Sequence, residues 1–332
     1  MFSSADAVAA VMFAAVTLYA VFAGADFGTG LWDLLAGGAK KGAPTRRLVD
    51  KALGPVWEAN HVWLIFVIVL LWSGFPRPFA TIMRELAVPF WLVGLGIVLR
   101  GSGFAFRKFA PTLQAARLAG IVFAGSSLFT PFFLGAIAGA IASGRVGAGI
   151  EDEVIWLSPT SILGGLLATG TCSFLAAVFL TEEAERIGDV ELTEDLRKKS
   201  LISGSVTGVI SLLGVSILAT DAPTLFDGLT GRGAPEVLIA AVAGSFTMVM
   251  LAQGYTRRAR FAAVAAVAAV VIGWGFAQYP WLLVDNVSIA DGAGHPATLS
   301  ALLIAAALAA VIITPALVLL FRLVDSDQLG HK

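Results

Sequence analysis

The chain has 332 residues, 58% of them hydrophobic and 14% charged, with a formal net charge of −1 and a mean hydropathy of +0.86. Soluble globular domains carry about 25% charged residues, so a soluble fold is excluded and most of the chain is expected to meet lipid or other helices. The near-neutral charge offers nothing to hold a nucleic acid, and the single cysteine, Cys172, excludes an intramolecular disulfide.

A bilayer core needs about 20 apolar residues per helix. In chain order, nine apolar stretches meet that need, centred roughly on 6–25, 55–74, 79–99, 117–142, 155–180, 200–219, 236–255, 261–279 and 299–321. The first is long enough to stay in the membrane as an anchor rather than a cleaved leader. The connecting segments are too short for a separate soluble domain, and the 36 glycines suit close helix packing in lipid. The mixed-charge run TEEAERIGDVELTEDLRKKS at 181–200 reads as a solvated loop or short helix. The expected fold is an all-α polytopic membrane protein. Residues 1–145 form a first four-helix bundle and 146–280 a second, joined by the acidic segment Glu151-Asp152-Glu153. Residues 281–332 supply an external loop, a ninth helix and a cytoplasmic tail. The halves share topology without a residue-level repeat.

Lysine and arginine set the expected orientation. Eighteen of the 22 basic residues fall after spans 1, 3, 5 and 7 or in the tail, whereas only Arg77, Arg84, Arg145 and Arg232 lie on the other side. The N-terminus is therefore expected outside and the C-terminus in the cytoplasm of a prokaryotic cell.

Ionisable groups inside a membrane are expensive and need a reason. Three stand out, all expected at cytoplasmic helix ends: Asp26 in GADFGTG, Glu58 in GPVWEANHVWLIF and Arg100 in VLRGSGFAFRK. Converging, they would make a hydrogen-bonded route for protons. Glu58 follows Pro55, a residue suited to a first helical turn, where the helix dipole favours an anion; the alternative is a carboxylate that only stabilises the helix end. Asp26 reads equally as an interfacial acid, although Gly24, Gly28 and Gly30 would let neighbouring backbone pack closely around it. Arg100 reads first as an anchor on the basic side, and Trp32, Trp57 and Trp63 as members of an interfacial aromatic belt.

Histidine supply sets a limit. Of His61, His295 and His331, only His61 is near a span, three residues after Glu58 and on nearly the same helix face. Its first reading is a polar neighbour of Glu58 and its second a heme ligand. Met248 and Met250 read as gap-fillers before ligands. No metal-ligand spacing, phosphate loop or catalytic nucleophile is present.

These stretches resemble the subunit II family of cytochrome bd-type quinol oxidases. GADFGTG is similar to that family's DGFDLGVG-like stretch, with Asp26 on its second acid. GPVWEANHVWLIF resembles GPVWDGNEVWLI, with Trp57, Glu58, Asn60, Val62, Trp63 and Leu64 on matching positions. LRGSGFAFR resembles FRGVAFEFR, with Arg100, Phe104 and Arg107 in place, and TPFFLGAIAGAIASG, FLTEEAE and WGFAQYP resemble later stretches in the same order.

The resemblance implies a subunit of a quinol:dioxygen oxidoreductase that oxidises quinol, reduces dioxygen to water and builds a proton gradient. It implies that hemes b and d sit in a partner, subunit I. It also implies that this chain supports that partner, can hold a structural quinone, and offers a proton path through Asp26, Glu58 and His61, with Arg100, Asn60, Trp57 and Trp63 as structural or charge partners. Departures from the family pattern are Ala23 and Ala105 in place of acids, Ala59 in place of glycine, and His61 in place of Glu or Gln. A secondary transporter or a purely structural membrane subunit are the alternatives; intramembrane carboxylates suit a transporter, but no broken helix is expected at mid-membrane.

Overall fold

The computed structural model describes residues 3–38, 40–53, 57–150 and 154–325, with side chains described for all of these except 52–53, 57–59, 314, 317–318 and 320–325. Among them the chain forms α1 (Ser4–Leu34), α2 (Ala43–Leu53), α3 (Trp57–Gly74), α4 (Pro76–Glu85), α5 (Ala87–Lys108), α6 (Leu113–Ala142), α7 (Pro159–Arg186), α8 (Val190–Asp221), α9 (Pro223–Thr230), α10 (Ala234–Ala252), α11 (Thr256–Gln278), α12 (Ile289–Gly292) and α13 (Pro296–Asp325). A short antiparallel hairpin, β1 (Trp281–Leu283) and β2 (Val287–Ser288), follows α11.

Local chemistry explains several boundaries. Ser3 and Asp6 form a reciprocal capping box at the start of α1. Thr112, Ser158 and Asp189 each accept a first-turn N–H of α6, α7 and α8, and Pro159 sits at the first helical position, where its missing N–H costs nothing.

Among the described residues, eight helices are long and apolar enough to cross a membrane, or nine if the bent pair α3–α4 counts as one. The nine-span expectation therefore holds in layout but not in every boundary. Residues 79–99 are not one helix: α4 ends at Glu85, Leu86 interrupts, and the crossing helix is α5, about a turn or two later in the chain. The axis between Asn60–Gly74 and Pro76–Glu85 bends by 118°, because Pro76 lacks the N–H that α3 would need to continue and its ring collides with the preceding turn. This broken pair was not expected. It lies at the end of α3, where the Gly74 carbonyl accepts the Gly294 N–H at 2.7 Å. The run 181–200 is also corrected: α7 carries through it to Arg186 and α8 begins at Val190, so both spans project beyond their apolar cores as helix.

α1 is the hub of the packing, touching α3, α6, α7, α11 and α13. Its crossing with α7 is so close that a Cβ at Gly28 would collide with the Cys172 carbonyl, and Gly135 on α6 meets Gly164 on α7 backbone to backbone. Met250 is buried among Phe174, Leu175 and Leu251, with Met248 packed against that cluster, so both fill apolar space.

The two faces of the bundle differ. On one, which we term the basic face, α7 and α11 are tied by Glu182–Arg260 at 2.6 Å and by Glu185 with Thr256. On the opposite face Asp221 accepts from Arg145 at 2.7 Å and from the Thr160 hydroxyl at 2.6 Å. There also Asn286 of the hairpin donates to the Gly144 carbonyl at 2.8 Å.

Candidate functional site

Asp26 lies on α1, two turns before that helix ends, and Arg100 lies on α5. Gly28 and Gly30 let α7 and α6 approach α1 on either side, since a Cβ at either would strike Cys172 or Ser127. The acid is therefore sealed in protein, only 5% exposed, and Arg100 beside it is 2% exposed. Two such groups are tolerated in a membrane interior only as a well-bonded pair.

The pair is well bonded. Arg100 Nη1 donates to Asp26 Oδ2 at 2.9 Å and Nη2 to Oδ1 at 2.9 Å. Nη2 also donates to the Asp26 carbonyl at 3.0 Å, and Nε to Ser127 Oγ at 3.0 Å. The guanidinium carbon sits 4.9 Å from the Phe27 ring centroid and 5.2 Å from that of Phe123, a cation–π setting that replaces part of its lost hydration. The surface readings of these two residues are thus corrected, while the reading of Arg100 as a charge partner matches the pair observed. Asp26 is not an interfacial acid at a helix end, and Arg100 is not an anchor at the membrane surface.

A second rung lies two helical turns towards the basic face. Asp33 is seven residues after Asp26 and Arg107 seven after Arg100, so each falls on the same face of its helix as its predecessor. Arg107 Nη1 donates to Asp33 Oδ2 at 2.5 Å, and Arg46 Nε to Asp33 Oδ1 at 2.9 Å. Arg107 also pairs with Asp50 of α2. Its guanidinium lies 5.1 Å from the Phe123 centroid, so Phe123 serves both arginines. Arg46 further donates to the Gly37 carbonyl at 2.7 Å, docking α2 onto the end of α1. Sequence reading counted Arg46 and Arg107 toward the basic side, matched Arg107 to a family stretch without assigning it a partner, and passed over Asp33. The available signal was the paired seven-residue spacing.

His61 on α3 borders the first rung. Its ring is 6.0 Å from Phe27 and 6.3 Å from Tyr19. The Tyr19 hydroxyl is buried and makes no hydrogen bond among the described residues. Trp63 packs against Tyr19, Ala23, Phe27 and Cys172, and Asn60 Nδ2 donates to the Phe22 carbonyl at 3.4 Å. Asp26, Arg100, Asn60, His61 and Trp63 are thus brought together along about two turns of α1, from Tyr19 to Phe27. Trp57 and Glu58 open α3, but their side chains lie outside the described residues. Trp32 is corrected: it is buried rather than in an interfacial belt, and its Nε1 donates to the Ser173 carbonyl at 2.8 Å.

A heme needs a cavity with an axial ligand aimed into it. His61 is wedged between two aromatic rings. The groove beside α10 and α11 and the pocket on the opposite face near Arg232 are lined by neither histidine nor methionine. Among the described residues no group of three or more His, Cys, Asp or Glu could hold a metal ion. Neither the groove nor that pocket offers an axial ligand for a heme.

Comparison with known proteins supplies the remaining evidence. The family model for cytochrome bd terminal oxidase subunit II matches residues 5–324. A Bacillus subtilis protein named cytochrome bd ubiquinol oxidase subunit 2 is 27% identical over 60% of this chain and 58% of its own length. A second Bacillus subtilis protein, provisionally named cytochrome bd menaquinol oxidase subunit II, is 21% identical over 98% of this chain and 97% of its own. The solved bd oxidase of Geobacillus thermodenitrificans contains a chain that superposes with a TM-score of 0.78, covering 96% of this chain and 98% of that one at 24% identity, which shows a shared fold. With the helical layout already described, the match over nearly the whole length places this chain in the cytochrome bd terminal oxidase subunit II family.

Proposed function

We propose that this chain is the non-heme subunit of a quinol:dioxygen oxidoreductase. In that reading it supports a heme-bearing subunit I and guides protons from the cytoplasm towards the hemes b and d of that partner. The observation that carries the reading is the family match from residue 5 to residue 324. The excess of basic residues on one face supports a cytoplasmic C-terminus and an external N-terminus. A structural quinone in this chain and the division into two bundles at about residue 146 belong to the same proposal.

For the proton route, Glu58 and His61 are the carriers and Asp26 is the residue that Arg100 holds beside them. Both Asp26 oxygens are engaged by Arg100, which fixes the carboxylate in place beside α3. His61, replacing the family's usual Glu or Gln, can accept and donate a proton without a full carboxylate desolvation. Asn60 and Trp63 fix α3 against α1 so that His61 stays at Phe27. Trp57 is assigned to the same support by its place in the motif.

The test uses the purified complex. An optical spectrum is expected to contain a d-type heme, and a heme-free, fully stable single chain would overturn the oxidase reading. With the complex in hand, Glu58→Gln is expected to lower oxygen consumption at least tenfold with heme content unchanged; unaltered consumption would remove Glu58 from the route.

A further inference from the structure

A groove of about 690 Å³ runs between α10 and α11 on the outer surface of the bundle. Leu238, Ile239, Val242, Phe246 and Phe261 line it, and Arg258 is its one charged residue. These apolar side chains are largely exposed, Phe261 at 66%. The groove lies along a helix pair that crosses the membrane, so its occupant has an apolar body. Leu238 and Phe246 are eight residues apart, about 12 Å along the helix axis, which approaches the depth of one bilayer leaflet.

The charged end asks for an anion. Thr256 begins α11, so Arg257 and Arg258 stand in its first turn, which contains no acidic residue of its own; the nearby Glu185 is taken by Thr256. Cations there oppose the positive end of the helix dipole. Arg260, one turn on, is matched by Glu182 at 2.6 Å. Arg258 stacks at 5.1 Å over Tyr255 and makes no ion pair among the described residues. An apolar trough ending at an exposed, unmatched guanidinium on the basic face has the polarity of a phospholipid, acyl chain inward and phosphate outward.

We propose that this groove is a binding site for an anionic phospholipid, with an acyl chain between α10 and α11 and the headgroup phosphate on Arg258. A quinone has the apolar body but no charge for Arg258, and a partner helix would need an acid at that depth. The site does not depend on the oxidase reading.

The experiment is native mass spectrometry of the purified complex after equilibration with vesicles of phosphatidylglycerol or of phosphatidylcholine. The wild type is expected to retain one phosphatidylglycerol at this site with about fivefold preference over phosphatidylcholine, the factor one arginine contributes beside an anionic surface. Arg258→Gln is expected to abolish the preference, Arg117→Gln, an exposed basic residue on α6, to leave it intact, and Ala243→Trp to expel both lipids by filling the trough. Equal preference in wild type and Arg258→Gln would overturn the proposal. So would a photocrosslinker at Phe246 that captures a protein helix or a quinone. Arg258 is exposed, so its replacement does not threaten folding and decides the question even if Ala243→Trp fails to assemble.

Discussion

Arg100 grips both carboxylate oxygens of Asp26 at 2.9 Å, across 74 residues of sequence and inside a bundle that buries both side chains almost completely. In such a setting the attraction repays desolvation only while both partners are present. Arg100→Met strands a buried carboxylate and is expected to cost about 3–5 kcal/mol, read as lost complex yield and a lower unfolding temperature. Arg100→Lys keeps the charge but not the two parallel bonds and is expected to rescue little. The double variant Asp26→Leu/Arg100→Met, with no orphaned charge, is expected to assemble better than either single change. A double variant as poor as Arg100→Met would show that the pair is not the stabilising unit.

The second rung separates a buried ion pair from a surface one on the same arginine. Arg107 meets Asp33, which is 3% exposed on its side chain, and Asp50, which is 51% exposed. Removing Asp33 takes away the buried acid that Arg46 and Arg107 share and is expected to cost about 3 kcal/mol or more. Removing Asp50 is expected to cost under about 1 kcal/mol, because solvent already screens that contact. Thermal unfolding of Asp33→Ala and Asp50→Ala, in low and in 0.5 M salt, checks the contrast. Equal effects of the two would mean that burial does not set the energetics here.

Close helix contact offers a sharper steric test. Gly28 faces the Cys172 carbonyl so directly that any β-carbon must push α1 and α7 apart. Overpacking a tight core costs about 1–3 kcal/mol where neighbours can yield, and backbone yields least. Gly28→Ala is therefore expected to reduce assembly strongly. Gly125→Ala, at a position where an added Cβ meets nothing within 4 Å, is expected to be silent. Expression and detergent stability of the two variants measure this directly.

What could be read from the sequence follows from which physics is local. Long apolar runs gave the spans, because the bilayer imposes one length on all of them. The third failed because residues 79–99 take in both the end of α4 at Glu85 and the start of α5 at Ala87, and composition does not register a break at Leu86. The run at 181–200 failed for the opposite reason: charge marks where lipid ends, but a capped helix continues into water, as α8 does from Asp189. At the site, GADFGTG pointed to close packing around Asp26, and the resemblance pointed to Arg100. That the two form one buried pair was not legible, since a guanidinium at an apparent helix end has the same sequence signature as a surface anchor. Asp33 was missed although its seven-residue step from Asp26 matches the step from Arg100 to Arg107. One such step is common by chance, and only the facing of α1 and α5 gives it meaning.

Tyr19 carries the last prediction. Its side chain is buried at 8% exposure beside His61, and its hydroxyl makes no hydrogen bond among the described residues. A buried hydroxyl without a partner costs about 1–3 kcal/mol of desolvation, so a purely packing role makes it a liability that phenylalanine removes. Tyr19→Phe is then expected to raise stability by up to about 1 kcal/mol and to leave oxygen consumption unchanged. If the hydroxyl instead holds an internal water against His61, as buried polar groups commonly do, Tyr19→Phe is expected to slow turnover severalfold without loss of heme. His61→Gln would then add little further loss, since both changes break one chain of hydrogen bonds. Oxygen consumption of the two single variants and their combination, each measured beside its unfolding temperature, separates these outcomes. Independent, multiplicative losses would place Tyr19 and His61 on different tasks and confine the proton route to Glu58 and His61.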